Sequence, residues 1–435
     1  MSEIKLPQQA GRKRNIFFTL VFLCGFLCCL PVGLLPQYTT ILSIAMLGCI
    51  CINFFSDHFF LYAAIFMFMR YKMMIGETPV YRIYSYMVVI KFILELPRFK
   101  LRLVYLPAIL VFALHSIFAT GAENMRLGLN VIVDIIIIYV ILMKVLADDR
   151  LMRYFLVAFM LGAVTSGIYG YTAADATHDT IINGAVVEVT RRFGSLSDAN
   201  FACLFYISAI FTALILKGIP RLLRVVFAGF FFVLLLQTAS LTGILTCALV
   251  GMLALVLRFR KKAIFIFLGA LVAVAILLSI PAVREIEAIA SILLRISERL
   301  HYLSVGRWDM LTTGRTDLWR DSLALFNSKP LLGKLFGGSV ITIALVTTRF
   351  RGTMWGTHQS VIQGLLNFGI LGTVVVFGLL FATFFYRFLR HMFRPAGYAN
   401  EDIKILQLLF SACFIIMSMT VDMFLDWTFL FFYFI

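Results

Sequence analysis

The chain has 435 residues, 62% of them hydrophobic and 14% charged, with a formal net charge of +16 and a mean hydropathy of +0.97. Soluble domains run at about 45–50% apolar, so a soluble protein is excluded and a polytopic membrane protein is expected. The positive charge does not point to nucleic acid: most Lys and Arg sit in short clusters between apolar runs, as membrane orientation requires, and no nucleic-acid module is found.

The N-terminal residues 1–15 are polar and end in Arg12-Lys13-Arg14. They could pass for the basic start of a signal peptide. The apolar run that follows, 16–35, is too long for a signal core and lacks a small-x-small cleavage site, so it reads as a retained first span. A crossing needs about 20 apolar residues, and basic clusters mark the cytoplasmic ends. The clusters are Arg12-Lys13-Arg14; Arg98, Lys100 and Arg102; Lys144, Arg150 and Arg153; Lys217, Arg221 and Arg224; Arg258, Arg260, Lys261 and Lys262; and Arg387, Arg390, Arg394 and Lys404. Between neighbouring clusters the chain must cross an even number of times.

That rule orders the spans. Residues 16–35, 39–55, 58–70 and 80–96 come first, the third short enough to be re-entrant. Spans 103–119 and 128–146 flank an outside turn at Glu123, and 154–171 and 199–216 enclose an outside loop, 172–198. Spans 222–238 and 241–257 share a tight outside turn. The run 263–280 leads out to a large loop, 360–386 returns, and 404–435 can cross twice with a break near Asp422 and Asp426. The expectation is an all-α bundle of about 12–14 spans. It has three regions: membrane helices over 1–281, an external loop over 282–357, and membrane helices over 358–435. No internal repeat is visible.

The large loop is rich in arginine: Arg284, Arg295, Arg299, Arg307, Arg315, Arg320, Arg349 and Arg351. Ile286, Ile289, Leu293, Ile296 and Leu300 recur at helical spacing, opposite Glu285, Glu287, Glu298 and Arg299, which predicts an amphipathic helix at the membrane interface. A second helix is predicted over 317–326, with Trp319, Leu323 and Phe326 on one face and Ser328-Lys329-Pro330 as its stop. Gly333, Gly337 and Gly338 then allow an irregular segment. The eight cysteines all fall in apolar runs; no disulfide framework or zinc spacing exists, and they read as small buried hydrophobes.

Outside-facing polar residues gather in two places. One is Arg191-Arg192-Phe193-Gly194 followed by Asp198-Ala199-Asn200. The other runs from Gly314-Arg315-Thr316-Asp317-Leu318-Trp319 to Thr357-His358-Gln359. Both precede descending spans, so they share a membrane surface and fit one cavity. Arginine forks read diphosphates through charge-assisted bidentate bonds and can stabilise the charge growing on such a leaving group. With no Asp-x-Asp pair and no His/Cys ligand cluster, metal-free chemistry without a cofactor is expected. His358, where the loop re-enters the membrane, is the candidate general base. Plainer readings stand beside these. A loop arginine is ordinarily a headgroup anchor. His58, His115, His178, His301 and His391 read as satisfied polar residues. Asp198 and Asn200 can cap a helix as readily as position a substrate. Asp134, Asp422 and Asp426 in apolar runs are either functional or paired with buried cations.

Over residues 190–376 these motifs resemble the O-antigen ligase/polymerase superfamily of bacterial surface-polysaccharide enzymes. Members show Arg-x-x-Gly followed by Asp-Pro-Asn, Gly-Arg-x-x-x-Trp with a Pro-x-x-Gly some ten residues on, and a His-Asn pair followed by an apolar run and Gly-x-x-Gly. Here the counterparts are Arg191 to Gly194, Asp198 to Asn200 with alanine for proline, Gly314 to Trp319, Pro330 to Gly333, His358-Gln359, and Gly369 to Gly372. A Ser/Thr-Arg-Gly turn that often supplies an arginine in the family is matched by Thr238-Ala239-Ser240-Leu241-Thr242-Gly243, which has none. The resemblance implies an inverting glycosyltransferase in the bacterial cytoplasmic membrane, multi-pass, with its site facing outside. Its donor would be a glycan on undecaprenyl diphosphate. His358 would deprotonate the acceptor glycan, and Arg192 and Arg315 would hold the diphosphate. Arg191, Asp198, Asn200, Trp319, Arg349, Arg351 and Gln359 would bind substrate. A polysaccharide polymerase is the first expectation, an O-antigen ligase acting on lipid A–core the second, and a lipid or solute transporter the third. Membrane lipid and a chain-length regulator are the expected partners.

Overall fold

Apolar runs and basic clusters resolve into helices and their ends. The computed structural model describes residues 6–96, 102–120, 125–173, 177–178, 191–196, 198–307, 315–337, 346–347, 354–355, 357–393, 400–421 and 430–435. In chain order the helices are α1 (Leu6–Leu27), α2 (Thr39–Asn53), α3 (Tyr62–Met69), α4 (Val80–Glu95), α5 (Leu106–Thr120), α6 (Met125–Ala147), α7 (Asp149–Thr172), α8 (Ala199–Ile215) and α9 (Arg221–Gln237). They continue as α10 (Leu241–Phe259), α11 (Ala263–Ser279), α12 (Pro281–Arg284), α13 (Glu287–Ser304), α14 (Arg315–Ser328), α15 (Leu331–Phe336), α16 (Ser360–Met392), α17 (Glu401–Ser418) and α18 (Leu430–Phe434).

The all-α membrane class follows. Among the described residues four helices are long and apolar enough to cross a membrane: Pro36–Asn53, Asp149–Thr172, Leu241–Phe259 and Ser360–Met392. Arg14–Leu27, Asp57–Met69, Leu103–His115, Ala199–Ile215 and Ala263–Ser279 are apolar but shorter. The larger count of about 12–14 crossings rests on the charge alternation of the sequence.

Polar residues at helix starts act as caps, their side-chain oxygens taking amide N–H groups that the first turn leaves without partners. Asp148 accepts from the amides of Arg150 (2.8 Å) and Leu151 (3.3 Å). Ser240 accepts from Gly243 (3.1 Å), and Gln359 from Ile362 (2.6 Å).

The contacts divide the chain into two units. The first holds α1 to α4, α7, residues 143–147 and residues 192–197. Every residue of α3 is buried, as expected of a helix apolar all round, and it lies along α7. Between α3 and α4, Met74–Ile75 and Thr78–Pro79 form an antiparallel hairpin with Met74 opposite Pro79. At one end of this unit Lys144 Nζ lies 3.3 Å from Asp57 and 3.8 Å from Glu95. Lys91 donates to Glu95 at 2.8 Å. These groups border a cavity of about 570 Å³ with Arg14, His58 and Arg150.

In the second unit α8 packs on α9 and α17, α10 packs on α17, and α5 lies along α16. The loop helices are fastened to this bundle: α13 contacts α9 and α10, and α14 and α15 contact α16. A second antiparallel pair joins Val346–Thr347 to Met354–Trp355. Helix α16 breaks at Gly369, whose φ of 69° and ψ of −175° belong to a region essentially reserved for glycine. A Cβ there would overlap the Gly337 nitrogen and the Leu335 carbonyl, so the loop meets the membrane helix backbone to backbone. Lys329 donates 2.7 Å to the Leu366 carbonyl beside this break.

The amphipathic helix forms where periodicity predicts it, but two of its faces are used. Its apolar stripe remains exposed at Ile286, Ile296 and Leu300, whereas Ile292 and Tyr302 are buried. Arg295 and Arg299 share the less exposed side with them, although the sequence pattern groups Arg299 with the solvated charges.

Candidate active site

The chain between α9 and α10 turns within Thr238-Ala239-Ser240, with Ala239 at a φ of 47°, left-handed backbone that a non-glycine residue rarely adopts. Two arginines from distant segments hold consecutive carbonyls of this turn. Arg191 Nε donates to the Thr238 carbonyl at 2.8 Å, and Arg295 Nη1 donates to that of Ala239. Arg191 Nη2 also donates to Asn200 Oδ1 at 3.4 Å, which accepts from Ser240 Oγ at 2.8 Å. Asp198 caps α8 through the amides of Asn200 (2.6 Å) and Phe201 (3.3 Å). Asp198 therefore serves the helix, whereas Asn200 orders Arg191 and the turn.

Arg191 is only 7% exposed. Burial lowers its proton affinity, and Asp198 opposes that shift. Arg295 is pushed down to about 10, by burial first and then by the charges of Arg191 and Arg299, with Glu298 opposing and Arg315 adding to the fall. Arg191, Arg295, Arg299 and Arg315 are thus one electrostatic cluster, in which desolvation and like charge both disfavour the cationic form.

A second set of bonds gathers the loop end and the re-entry point. Arg315 Nη1 donates to the Thr420 carbonyl at 3.1 Å, and Ser360 Oγ donates to the next carbonyl, that of Val421, at 2.6 Å. Trp319 Nε1 donates to the Thr357 carbonyl at 3.1 Å. His358 lies between these anchored neighbours with a φ of 50°. Strain of that kind concentrates at functional sites. Gln359 Oε1 caps α16, and its amide nitrogen reaches Met419 Sδ at 3.9 Å.

The predicted residues therefore fall into three groups. Arg191, Asp198 and Asn200 meet at the α9–α10 turn, and Arg315, Trp319, His358 and Gln359 meet around the end of α17. Arg192 belongs to the first unit, where it donates to the Gly170 carbonyl at 3.2 Å and lies 5.6 Å over the Tyr171 ring. Arg349 and Arg351 lie outside the described residues, as do Glu123, Gly314, Asp422 and Asp426. Arg295, which is not among the predicted site residues, joins the α9–α10 turn. Its signal was the spacing of Ile292, Arg295, Arg299 and Tyr302, a second helical stripe overshadowed by the apolar one. Among the described residues no group of three His, Cys, Asp or Glu is placed to hold a metal ion.

Helices of membrane length define an all-α membrane protein, with an arginine cluster held against the turn between α9 and α10 and a histidine of positive φ just before α16. Residues 225–377, about a third of the chain, match a family model described as O-antigen ligase. This segment is of the O-antigen ligase/polymerase superfamily, and the match supports a function of ligase or polymerase type without separating the two. It contains the α9–α10 turn, Arg295, Arg315, Trp319, His358 and Gln359; Arg191, Asp198 and Asn200 precede it. No curated protein and no solved structure matches the chain.

Proposed function

We propose that the protein is a polysaccharide polymerase, an inverting and metal-independent glycosyltransferase that joins oligosaccharide repeat units carried on undecaprenyl diphosphate at the outer face of the bacterial cytoplasmic membrane. One observation carries the reading. Arg315, the anion reader, and Ser360, next but one to His358, are bonded to the consecutive carbonyls of Thr420 and Val421, so the cation and the base candidate are tied to one short stretch of chain. In the reaction, an acceptor hydroxyl oxygen attacks the anomeric carbon of the donor glycan. His358 takes the hydroxyl proton. The bond from the anomeric carbon to the diphosphate oxygen breaks, and undecaprenyl diphosphate leaves with the electron pair, its growing charge met by guanidinium groups. Arg315 supplies one. Arg191 supplies the second, since of the adjacent pair it is Arg191 that joins the α9–α10 turn. A membrane-embedded chain-length regulator is a fitting partner.

Replacing His358 with alanine tests the reading. The variant is expected to accumulate at wild-type level in the membrane while surface glycan collapses to single repeats. A normal ladder of chain lengths would remove His358 from the mechanism. Long chains left on the lipid carrier would instead favour an O-antigen ligase.

A further inference from the structure

The far end of α16 carries a second basic site, independent of the function proposed above. Arg102, ahead of α5, meets Arg387, Arg390 and His391 on the last turns of α16, and Lys404 and Gln407 on the first turns of α17, around a cavity of about 290 Å³. All belong to the second unit. From Gly369 to Arg387 the helix rises about 27 Å, close to the thickness of the hydrocarbon core of a bilayer. The cavity therefore lies a membrane's depth along α16 from the contact with α15, at the end that the basic clusters assign to the cytoplasm.

A basic cluster ordinarily does no more than orient a span, with its charges in water. Three features set this one apart. Among the described residues no carboxylate lines the cavity, and Arg102, Arg387 and Arg390 make no ion pair. The buried Asp402, on the first turn of α17, accepts from the Lys217 amide at 2.9 Å. Two of the guanidinium groups are steadied by neutral partners: Arg387 Nη2 donates to the Tyr105 hydroxyl at 3.3 Å and Arg390 Nη1 to that of Tyr386 at 3.2 Å. Each keeps further N–H donors for an anion. Gln407, in the cavity wall, is only 6% exposed, yet among the described residues its side-chain amide makes no hydrogen bond. A buried amide left in that state is costly, and a polar ligand in the cavity would relieve it.

The surroundings narrow the ligand. Leu103, Val104, Leu389 and Phe393, adjoining the arginines in sequence, are exposed apolar groups, as contact with acyl chains requires. The volume is at the lower limit of ligand pockets, about 300–1,000 Å³, and suits a headgroup rather than a whole lipid. Basic pockets between membrane helices on the cytoplasmic side suit anionic headgroups. We propose that this cavity binds the phosphate headgroup of an anionic phospholipid of the cytoplasmic leaflet, with Arg102, Arg387 and Arg390 on the phosphate and the Gln407 amide hydrogen-bonded to it.

Dioctanoyl phosphatidylglycerol, titrated into the full-length protein in neutral detergent with bound lipid counted by native mass spectrometry, is the probe. The wild type is expected to hold one molecule that dioctanoyl phosphatidylcholine does not replace and that inorganic phosphate displaces only at far higher concentration. Arg102→Gln combined with Arg390→Gln, both exposed positions, is expected to weaken binding about tenfold to a hundredfold, the loss of charge-assisted bonds. Gln407→Glu keeps the shape but sets a carboxylate against the phosphate, and is expected to abolish binding. Arg221→Gln combined with Arg258→Gln, exposed in other basic clusters, removes the same charge and is expected to bind as the wild type does. Undiminished affinity in the Arg102 and Arg390 variant overturns the proposal, as does an equal loss in both double variants. Equal retention of phosphatidylcholine also overturns it, and displacement by inorganic phosphate at matching concentration assigns the cavity to a soluble anion instead. Should Gln407→Glu not fold, the Arg102 and Arg390 variant decides alone.

Discussion

Gly369→Ala offers the sharpest test of how the loop is held to the membrane helix. Two terms oppose the added methyl group. The backbone at φ 69° and ψ −175° is open to glycine and costs other residues about 1–3 kcal/mol. The new Cβ would also press on backbone atoms of Leu335 and Gly337, which cannot rotate away as a side-chain tip can, and overpacking of that kind costs about 1–3 kcal/mol more. The sum, about 2–6 kcal/mol, is a large part of the margin of about 5–15 kcal/mol by which folded domains persist. Gly378→Ala is the control: it lies on the same helix, and its Cβ would meet nothing within 4 Å. There alanine should be neutral or stabilising by up to about 1 kcal/mol. Thermal unfolding of both variants in detergent, followed by intrinsic fluorescence, is expected to show a clearly lower midpoint for Gly369→Ala alone, with loss of long-chain glycan. Equal midpoints would refute the backbone-to-backbone contact and with it the fixed seating of α15 against α16.

Asn200→Asp places a carboxylate beside Arg191, so the midpoint should hold or rise while glycan assembly falls, because the new charge competes with the diphosphate; unchanged assembly would count against Arg191 as an anion ligand. Lys329 has its proton affinity lowered by burial from the ordinary 10.5. The unfolded chain then binds the proton more tightly than the folded one, so this group's contribution to stability rises with pH up to about 10.5. Subtracting the midpoint of Lys329→Gln from that of the wild type across this range should give an increasing difference, and a falling one would contradict the sign.

Much of the architecture could be read from apolar runs, because span and helix share one cause. The runs 39–55, 199–216 and 263–280 end within two residues of α2, α8 and α11. Helix starts are marked likewise: Asp198, Ser240 and Gln359 each cap a helix directly before the apolar runs that begin at 199, 241 and 360. The site was less legible. Arg191 and Arg192 are neighbours in an extended segment, where successive side chains point to opposite faces, so a motif written as two arginines does not say which one joins the α9–α10 turn. Arg295 was hidden because hydrophobic periodicity identifies one face of a helix and says nothing about a charged residue on another. The break at Gly369 was visible as a motif glycine, but its meaning depends on Leu335 and Gly337, brought to it by the fold.

The ion pairs of Lys144 with Asp57 and Glu95 bear on a matter of parity. Asp57 and Glu95 bracket α3 and α4, and a single ammonium group touches both, so the chain leaves and returns at the same end. Helix α3 is only eight residues long, about 12 Å at the α-helical rise, which is short for a bilayer. Whether this excursion traverses the lipid twice or dips in and comes back, it adds an even number of passages. The sidedness deduced for every later segment, the arginine cluster included, is therefore indifferent to the part of the topology hardest to decide.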